Sequence, residues 1–491
     1  MSQDRLKTML VVGGGITALY AAVALKRRAP FLDVTLLETA PAPDALADRI
    51  ACALPSVLGF TSDLGIGEGD GVIRAGAGYR LGSLFSDWSK GLPAYAHAYG
   101  RYGRALGPGA FHLYWLHASG DGATLPFDHY AAAAALGRAG RFQPASPGTA
   151  LADYEYGLTL NLPRHETMLR AFAAHVGVRK ERGDIARVAL DERGLVTAVT
   201  LANGAALGAD LYIDATGPAA TLRQAIDDER EDWRRWLPCD RVLLTESTAP
   251  VEPPVLTPVI AQPAGWRWSS GIQSGFAYAS AHLSDGKAER ILRNATSMTP
   301  GVPISLRAGT RPQPWRGNCV AIGDAATSIE PLEWCNLHLA LSAIDRLITM
   351  LPGATPTPVE AADFNRQTVA EATRVRDFIA MHYRTARRDD PMWRELAAVE
   401  PPPSLAHTLS QFAERGRLPF YEEETFSRDS WAAVLLGQGF MPRRVDPLVK
   451  AIPQAIARGA MQRLAADIAA ALPNAPTHAA YLAAQMRHLS R

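Results

Sequence analysis

The chain has 491 residues, 47% of them hydrophobic and 20% charged, the balance of a globular protein with enough core for two or three cooperating domains. A formal net charge of +1 without a long basic run excludes the electrostatic footprint of a nucleic-acid binder. Cys52, Cys239, Cys319 and Cys335 lack the close pairing of a zinc site or redox dithiol, and no stretch approaches the ~20 apolar residues of a membrane span. No metal, nucleic acid or membrane partner is therefore expected. The short polar start, Met1 to Thr8, leaves no room for a signal peptide, so the expected location is cytoplasmic.

Thr8 to Val12 predicts a short buried strand, followed by the turn Gly13-Gly14-Gly15. Ile16 to Arg28 has the alanine and leucine spacing of a helix packed on a sheet, and Asp33 to Glu38 predicts the next strand, which completes a βαβ unit. From Pro41 to about Gly82 the pattern is irregular and rich in glycine and proline, which predicts active-site loops. Asn161 to Val176 predicts a helix, Ile185 to Leu201 a hairpin turned at Asp191 to Gly194, and Asp210 to Asp214 a strand ending in Ala215-Thr216-Gly217. Proline-rich breaks stand at Pro250 to Pro258, Pro352 to Pro358 and Pro401 to Pro403. Asn318 to Ile322 predicts a strand opening on Gly323-Asp324, Leu337 to Leu351 a helix, and Ala361 to Met381 the longest helix of a mainly helical C-terminal region. A nucleotide-binding module is thus expected from residues near 1–80, 160–220 and 315–350. The pieces 81–159 and 221–314 are expected to form a substrate sheet, and 351–491 a helical region.

Gly13-Gly14-Gly15-Ile16-Thr17-Ala18 fits a GxGxxG/A loop, with Gly13 for the tight turn, Gly15 for close approach to a pyrophosphate and Ala18 for helix packing. The helix N-terminus behind the loop offers free N–H groups and partial positive charge to phosphates. Glu38 ends the second strand, where an acid can accept hydrogen bonds from a ribose hydroxyl. Asp214 to Gly217 and Gly323-Asp324 are late returns to the sheet of the kind that FAD proteins use, so FAD is the expected cofactor. Asp324 reads equally as the N-cap of a following helix, and the two roles are compatible.

With these segments in view the chain resembles the flavin-dependent tryptophan halogenases, within the FAD monooxygenase superfamily. The resemblance rests on Asn318 to Gly323 followed by Ile329-Glu330-Pro331-Leu332-Glu333, and on Gly265-Trp266-Arg267-Trp268, which is similar to the family's WxWxIP signature. It extends through Gly275 to Ser280, Phe378 to Tyr383 with Arg388 and Trp393, and Trp431 to Pro442. It implies an α/β fold: an FAD-binding doubly wound domain, Rossmann-like and of the glutathione-reductase type, with a β-sheet substrate layer and a mainly helical C-terminal region. It also implies FAD reduced by a separate flavin reductase, oxygen as co-substrate, a lysine that delivers halogen across a tunnel, and a small aromatic or peptide substrate. A homodimer is compatible with it.

The sequence departs from the family at the landmarks of halogenation. Counting back from Pro55, which precedes Leu64-Gly65-Ile66 by the family spacing, puts Asp48 where the lysine belongs and Ala51 where a glutamate belongs. Arg49 is nearest, but a guanidinium stays protonated and has no lone pair to offer. Ser270 and Gly271 replace the isoleucine and proline of WxWxIP. After Glu333 the family's Ser-Thr-Gly, associated with the halide site, is Trp334, Cys335 and Asn336.

Glu333 matches a family glutamate that orients the lysine or takes the arene proton. Here it reads either as a general base, if burial raises its pKa, or as a group satisfied by nearby backbone and an arginine. His338 and His382 read as packed, hydrogen-bonded residues. Trp266 and Trp268, two apart on an extended segment, share a face and read as an aromatic substrate wall or as core. Trp334 is a third substrate candidate. The expected function is a flavin-dependent oxidoreductase that uses reduced FAD and O2 to oxygenate an aromatic, indole-like substrate or a peptide residue. Lysine-free halogenation and a non-catalytic flavin-binding scaffold are the alternatives.

Overall fold

The computed structural model describes residues 6–119, 124–246, 252–353 and 357–489. The polar N-terminal residues and the proline breaks at 250–258 and 352–358 lie partly outside the described residues. The chain forms two compact units, one drawn from Met1–Ala77, Leu160–Arg234 and Ile304–Arg374, the other from Gly78–Thr159, Arg235–Pro303 and Val375–Arg491.

The first unit is organised by a six-stranded sheet in the order Trp315–Arg316, Cys319–Ala321, Leu211–Asp214, Thr8–Val12, Asp33–Glu38, Arg179–Arg182. All neighbours are parallel except the first pair. The central strands read TMLVV and LYID, nearly continuous apolar runs, as expected of parallel strands buried on both faces. Between the first two strands in sequence runs the helix Ile16–Arg28, buried from Ile16 through Leu25. Register fixes the site: Val12 pairs with Asp214, and Asp214 with Ala321. The glycine turn, the Asp214 turn and the Gly323-Asp324 turn therefore leave the sheet side by side at the carboxyl ends of three neighbouring strands, where open α/β sheets bind ligands. A small hairpin, Ile185–Leu190 with Val196–Leu201, packs Val196, Val199 and Leu201 against this core.

In the second unit one sheet runs in the order Arg241–Glu246, Gln273–Tyr278, Gly265–Ser269, Leu256–Gln262, Gly82–Ser86, Tyr95–Ala98. Neighbours are antiparallel apart from the parallel pairing of Leu256–Gln262 with Gly82–Ser86. Helices dominate after Val375, among them Pro403–Arg415, Arg428–Gly437 and Gln454–Ala471. The helix Pro358–Thr385, 28 residues long, contributes residues to both units. Among the described residues no helix is long and apolar enough to cross a membrane, and no cluster of His, Cys, Asp and Glu could hold a metal ion.

The stretch 41–82 is more structured than its composition predicts. It contains the turn of helix Leu46–Arg49, the helix Ser56–Asp63 and the π-helical segment Gly69–Arg74. Short helices whose apolar residues are anchored by tertiary burial, such as Val57 and Phe60, leave too few turns for periodicity to register.

Candidate functional site

The glycine turn is shaped by steric need. A Cβ on Gly13 would lie 2.4 Å from the Ala215 carbonyl oxygen, and one on Gly14 2.4 Å from the Thr39 carbonyl oxygen. Gly13 N–H donates to Leu37 O at 3.1 Å, which ties the turn to the neighbouring strand. Gly15 serves another purpose: a Cβ there would lie 2.1 Å from the Asp48 carboxyl carbon. Asp48 Oδ1 accepts the Thr17 backbone N–H at 2.7 Å, in the first turn of the helix Ile16–Arg28. Asp48, the residue at the lysine position by spacing, is thus turned toward the nucleotide loop. Loss of solvent around this carboxyl raises its pKa, opposed by the Thr17 contacts. Ala18 is buried in the helix, in the packing position that the motif implies.

Asp324 is expected at the start of a helix, but it sits inside a single 3-10 turn, Gly323–Ala325, so it caps no helix directly. Its Oδ2 accepts the Ala47 backbone N–H at 2.7 Å, and its buried Oδ1 makes no hydrogen bond within the described residues. Burial pushes its pKa up to about 8, with the charges of Asp48 and Asp44 adding to the effect and the Ala47 N–H opposing it. Gly323, at φ +58, takes a left-handed conformation that favours glycine, and a Cβ there would come within 3.1 Å of the Thr17 side chain.

Asp214 is committed to its own turn. Its Oδ1 accepts from Thr216 N–H at 3.0 Å and Thr216 Oγ1 at 2.6 Å, and its Oδ2 accepts from the Leu222 and Arg223 N–H groups at 2.8 Å. It thereby seals the start of the helix Thr221–Ile226. Gly217, at φ +76, lies under Ala42 and Ala45, with a Cβ reaching 2.8 Å from the Ala42 side chain. Glu38 ends its strand as expected and is ringed by cations: Arg170, Lys180 at 2.8 Å and Arg182 at 2.8 Å. Burial favours the protonated acid, yet the Lys180 and Arg182 contacts and the Arg170 charge hold its pKa below the usual carboxylate range.

Glu333 and Trp334 are 1% exposed and sit in consecutive left-handed conformations, φ 63° and φ 64°. Two such non-glycine residues in a row carry strain of order 1 kcal/mol or more each, which the buried surroundings sustain. Glu330 is fully buried beside them in the chain. Asn336, near the start of the helix Cys335–Thr349, donates Nδ2 to Ile329 O at 2.8 Å and closes the segment into a loop.

In the second unit Trp266 and Trp268 are buried, with ring centroids 5.1 Å apart, on one face of their strand as their spacing predicts. Trp266 Nε1 donates to Tyr383 Oη at 3.0 Å, and Trp268 covers Gly275, where a Cβ would meet its ring at 2.3 Å.

Arg80 had little signal in the sequence, and His338, read there as a packed, hydrogen-bonded residue, has partners that the sequence did not name. The Arg80 guanidinium, 0% exposed, contacts Thr257 Oγ1 at 3.3 Å, Gly82 O at 3.0 Å, Ser83 Oγ at 3.3 Å and the Tyr99 hydroxyl, with the Tyr99 ring 5.4 Å away. Its only trace in the sequence is a cation inside the apolar run Ala77 to Phe85. His338 bridges Ser56 and Glu371, a pairing of distant residues that no local pattern announces.

Whether these residues suit FAD turns on two observations. Three turns converge at the carboxyl ends of the central strands, and the first-turn Thr17 N–H of Ile16–Arg28 is held by a carboxylate, so the cradle accommodates an anion. Asp324 Oδ1 is a buried acceptor with no hydrogen bond among the described residues, although buried acceptors are normally satisfied. The residues fit the cofactor.

The tryptophan halogenase family profile matches residues 8–454. The chain is 32% identical to BrvH, a flavin-dependent halogenase from Brevundimonas sp. BAL3, with a TM-score of 0.90 over 98% of this chain and 99% of that one. A flavin-dependent halogenase from Xanthomonas campestris gives 30% identity and a TM-score of 0.90, with 98% of each chain covered. The tryptophan 7-halogenase KtzQ of Kutzneria sp. (strain 744) is 27% identical over 539 residues, spanning 98% of this chain and 99% of its own.

Proposed function

The chain belongs to the tryptophan halogenase family and is an FAD-dependent oxidoreductase; from that premise we propose that it uses reduced FAD and O2 to oxygenate an aromatic, indole-like compound or a peptide side chain. When bound, reduced FAD supplies the activation of oxygen. The chain's own part is to hold the cofactor's anionic end on the turns at Gly13, Gly217 and Gly323, and to keep water from the reacting atoms. Glu333, buried at 1% exposure, is the group we assign to take up the proton that the aromatic carbon releases. Trp334, next to Glu333 in the first unit, is assigned as an apolar contact for a flat substrate, and Trp266 and Trp268 are assigned separately as the aromatic substrate candidates of the second unit. A separate flavin reductase delivers the reduced cofactor, and the cytoplasm is the compartment we assign.

The observation that carries oxygenation over halogen transfer is the combination at 333–336. Where the family has Ser-Thr-Gly, this chain has Trp334, Cys335 and Asn336, all buried, with Trp334 filling its position in a left-handed backbone. Purified protein supplied with a flavin reductase, FAD, O2 and a panel of indoles and tryptophan-containing peptides should give products heavier by one oxygen atom, with or without bromide. Absence of any turnover above that of free reduced flavin overturns the proposal.

Halogen transfer is the second reading, and the specific observation favouring it is the likeness to BrvH across 98% of this chain. Products that appear only with halide and carry it would establish that reading instead.

A further inference from the structure

We propose that the short helical turn Leu46–Arg49 is a built-in competitor for the nucleotide cradle: Asp48 takes the anion position on the glycine loop, and FAD enters by displacing it. The inference rests on FAD being the cofactor, and it concerns how the site is filled rather than what it catalyses.

Thr17 N–H lies in the first turn of the helix Ile16–Arg28, whose donors have no partner within the helix and sit at the positive end of its dipole. An anionic ligand uses such donors, and here Asp48 Oδ1 holds one at 2.7 Å. The carboxyl is pressed so closely on the loop that a Cβ on Gly15 would fall 2.1 Å from its carbon. The glycine that gives a pyrophosphate access therefore gives access to this side chain as well, and both cannot occupy the same space. The turn is held closed from its other side by Ala47 N–H, which donates to Asp324 Oδ2 at 2.7 Å.

A second, independent observation points to a ligand here. Asp324 is 3% exposed and its Oδ1 makes no hydrogen bond within the described residues, although buried acceptors are normally satisfied. The closed turn serves one oxygen of Asp324 and leaves the other, an arrangement suited to a temporary partner. The segment leading into the turn follows the same line: Thr39 and Pro41 lie over Gly14, and Ala42 and Ala45 over Gly217. Residues 39–48 thus form a strap across the cradle with Asp48 as its anionic tip.

Removing the tip should ease entry of the cofactor. A charge-assisted hydrogen bond at a helix N-terminus stabilises the closed turn enough that its loss should tighten FAD binding by roughly tenfold to a hundredfold. The experiment is titration of the full-length protein with oxidised FAD, followed by quenching of flavin fluorescence, for wild type, Asp48→Ala and the isosteric Asp48→Asn. Both variants should bind more tightly than wild type, Asp48→Ala the more so. Hydrogen exchange on wild type supplies the second measurement: the amides of residues 46–50 should lose protection when FAD is added. Equal or weaker binding by both variants, or unchanged or increased protection of 46–50, overturns the competitor while leaving FAD as the cofactor. Failure of wild type and both variants alike to bind FAD overturns the competitor and the cofactor together.

Discussion

His338 Nε2 and Glu371 Oε1 lie 3.1 Å apart in the interior of the first unit, and the same carboxylate receives Ser342 Oγ at 2.7 Å and the Arg346 guanidinium at 3.1 Å. Burial by itself would raise the Glu371 pKa, but His338, Arg346 and Ser342 draw it down to about 2 from an ordinary 4.5. A carboxylate whose folded pKa is depressed contributes stability that is present above the unfolded value and lost as pH falls through the folded one. Glu371→Gln should therefore destabilise the protein at pH 7 by roughly 2–4 kcal/mol, since it removes the negative charge on which His338 and the buried Arg346 converge. Urea unfolding of wild type and variant should converge as pH is lowered from 4.5 toward 2, and a gap that persists there would contradict the charge argument.

Two glycines separate steric need from mere permissiveness. Gly13→Ala puts a methyl 2.4 Å from the carbonyl oxygen of Ala215, whose N–H is tied to Val12 O at 2.9 Å, so the turn must open. The variant should lose FAD binding and more than about 3 kcal/mol of stability. Gly59 stands in the helix Ser56–Asp63, and a Cβ there meets nothing within 4 Å. Gly59→Ala should stabilise by about 0.5–1 kcal/mol, the helix propensity difference. Thermal unfolding of the pair should move in opposite directions.

What could be read from the sequence was what depends on near neighbours. Thr8–Val12, Ile16–Arg28 and Asp33–Glu38 occupy the predicted residues because an apolar run, a glycine turn and a helical period follow one another without interruption. The hairpin Ile185–Leu190 with Val196–Leu201 was visible in its alternation and its turn at Asp191 to Gly194. What escaped depends on long-range contact. Glu38 finds Arg170 across 132 positions, which adds a structural duty to an acid that the motif alone gives to ribose. Asp48 can be placed by counting from Pro55, but only the folded strap shows that it faces Gly15. Leu256–Gln262 joins Gly82–Ser86 in parallel across a gap of about 170 residues, a register that no local pattern encodes.

Tyr383 Oη stands between Trp266 Nε1 at 3.0 Å and Cys239 Sγ at 3.2 Å, all three buried. The phenol gives the indole N–H a strong acceptor in surroundings where water cannot replace it. Tyr383→Phe keeps the ring packing with Trp393, whose centroid is 5.4 Å away, and removes only the oxygen. A loss of about 1–3 kcal/mol is expected, together with a changed tryptophan emission from the Trp266–Trp268 pair. An unchanged emission spectrum would mean that Trp266 is held by packing alone.

Asp324 supplies the opposite pH signature to Glu371. Its folded pKa of about 8 lies far above the ordinary 3.8, so the folded protein favours the protonated acid, and stability falls as pH rises from about 4 to about 8. The cause is burial beside Asp48 and Asp44, opposed by the Ala47 and Leu46 backbone N–H groups, with no hydrogen bond to Oδ1 among the described residues. Asp324→Asn has nearly the same shape and cannot ionise. In the cofactor-free protein it should raise stability above pH 8 relative to wild type, with the difference shrinking toward pH 4. FAD binding should show the reverse preference: if Asp324 Oδ1 accepts a donor from the cofactor, the variant binds more weakly even though it melts higher. Melting curves and FAD titrations on one preparation, at pH 6 and pH 9, test both halves. A variant that melts lower at pH 9 would show that the carboxylate is stabilised in place rather than tolerated for its ligand.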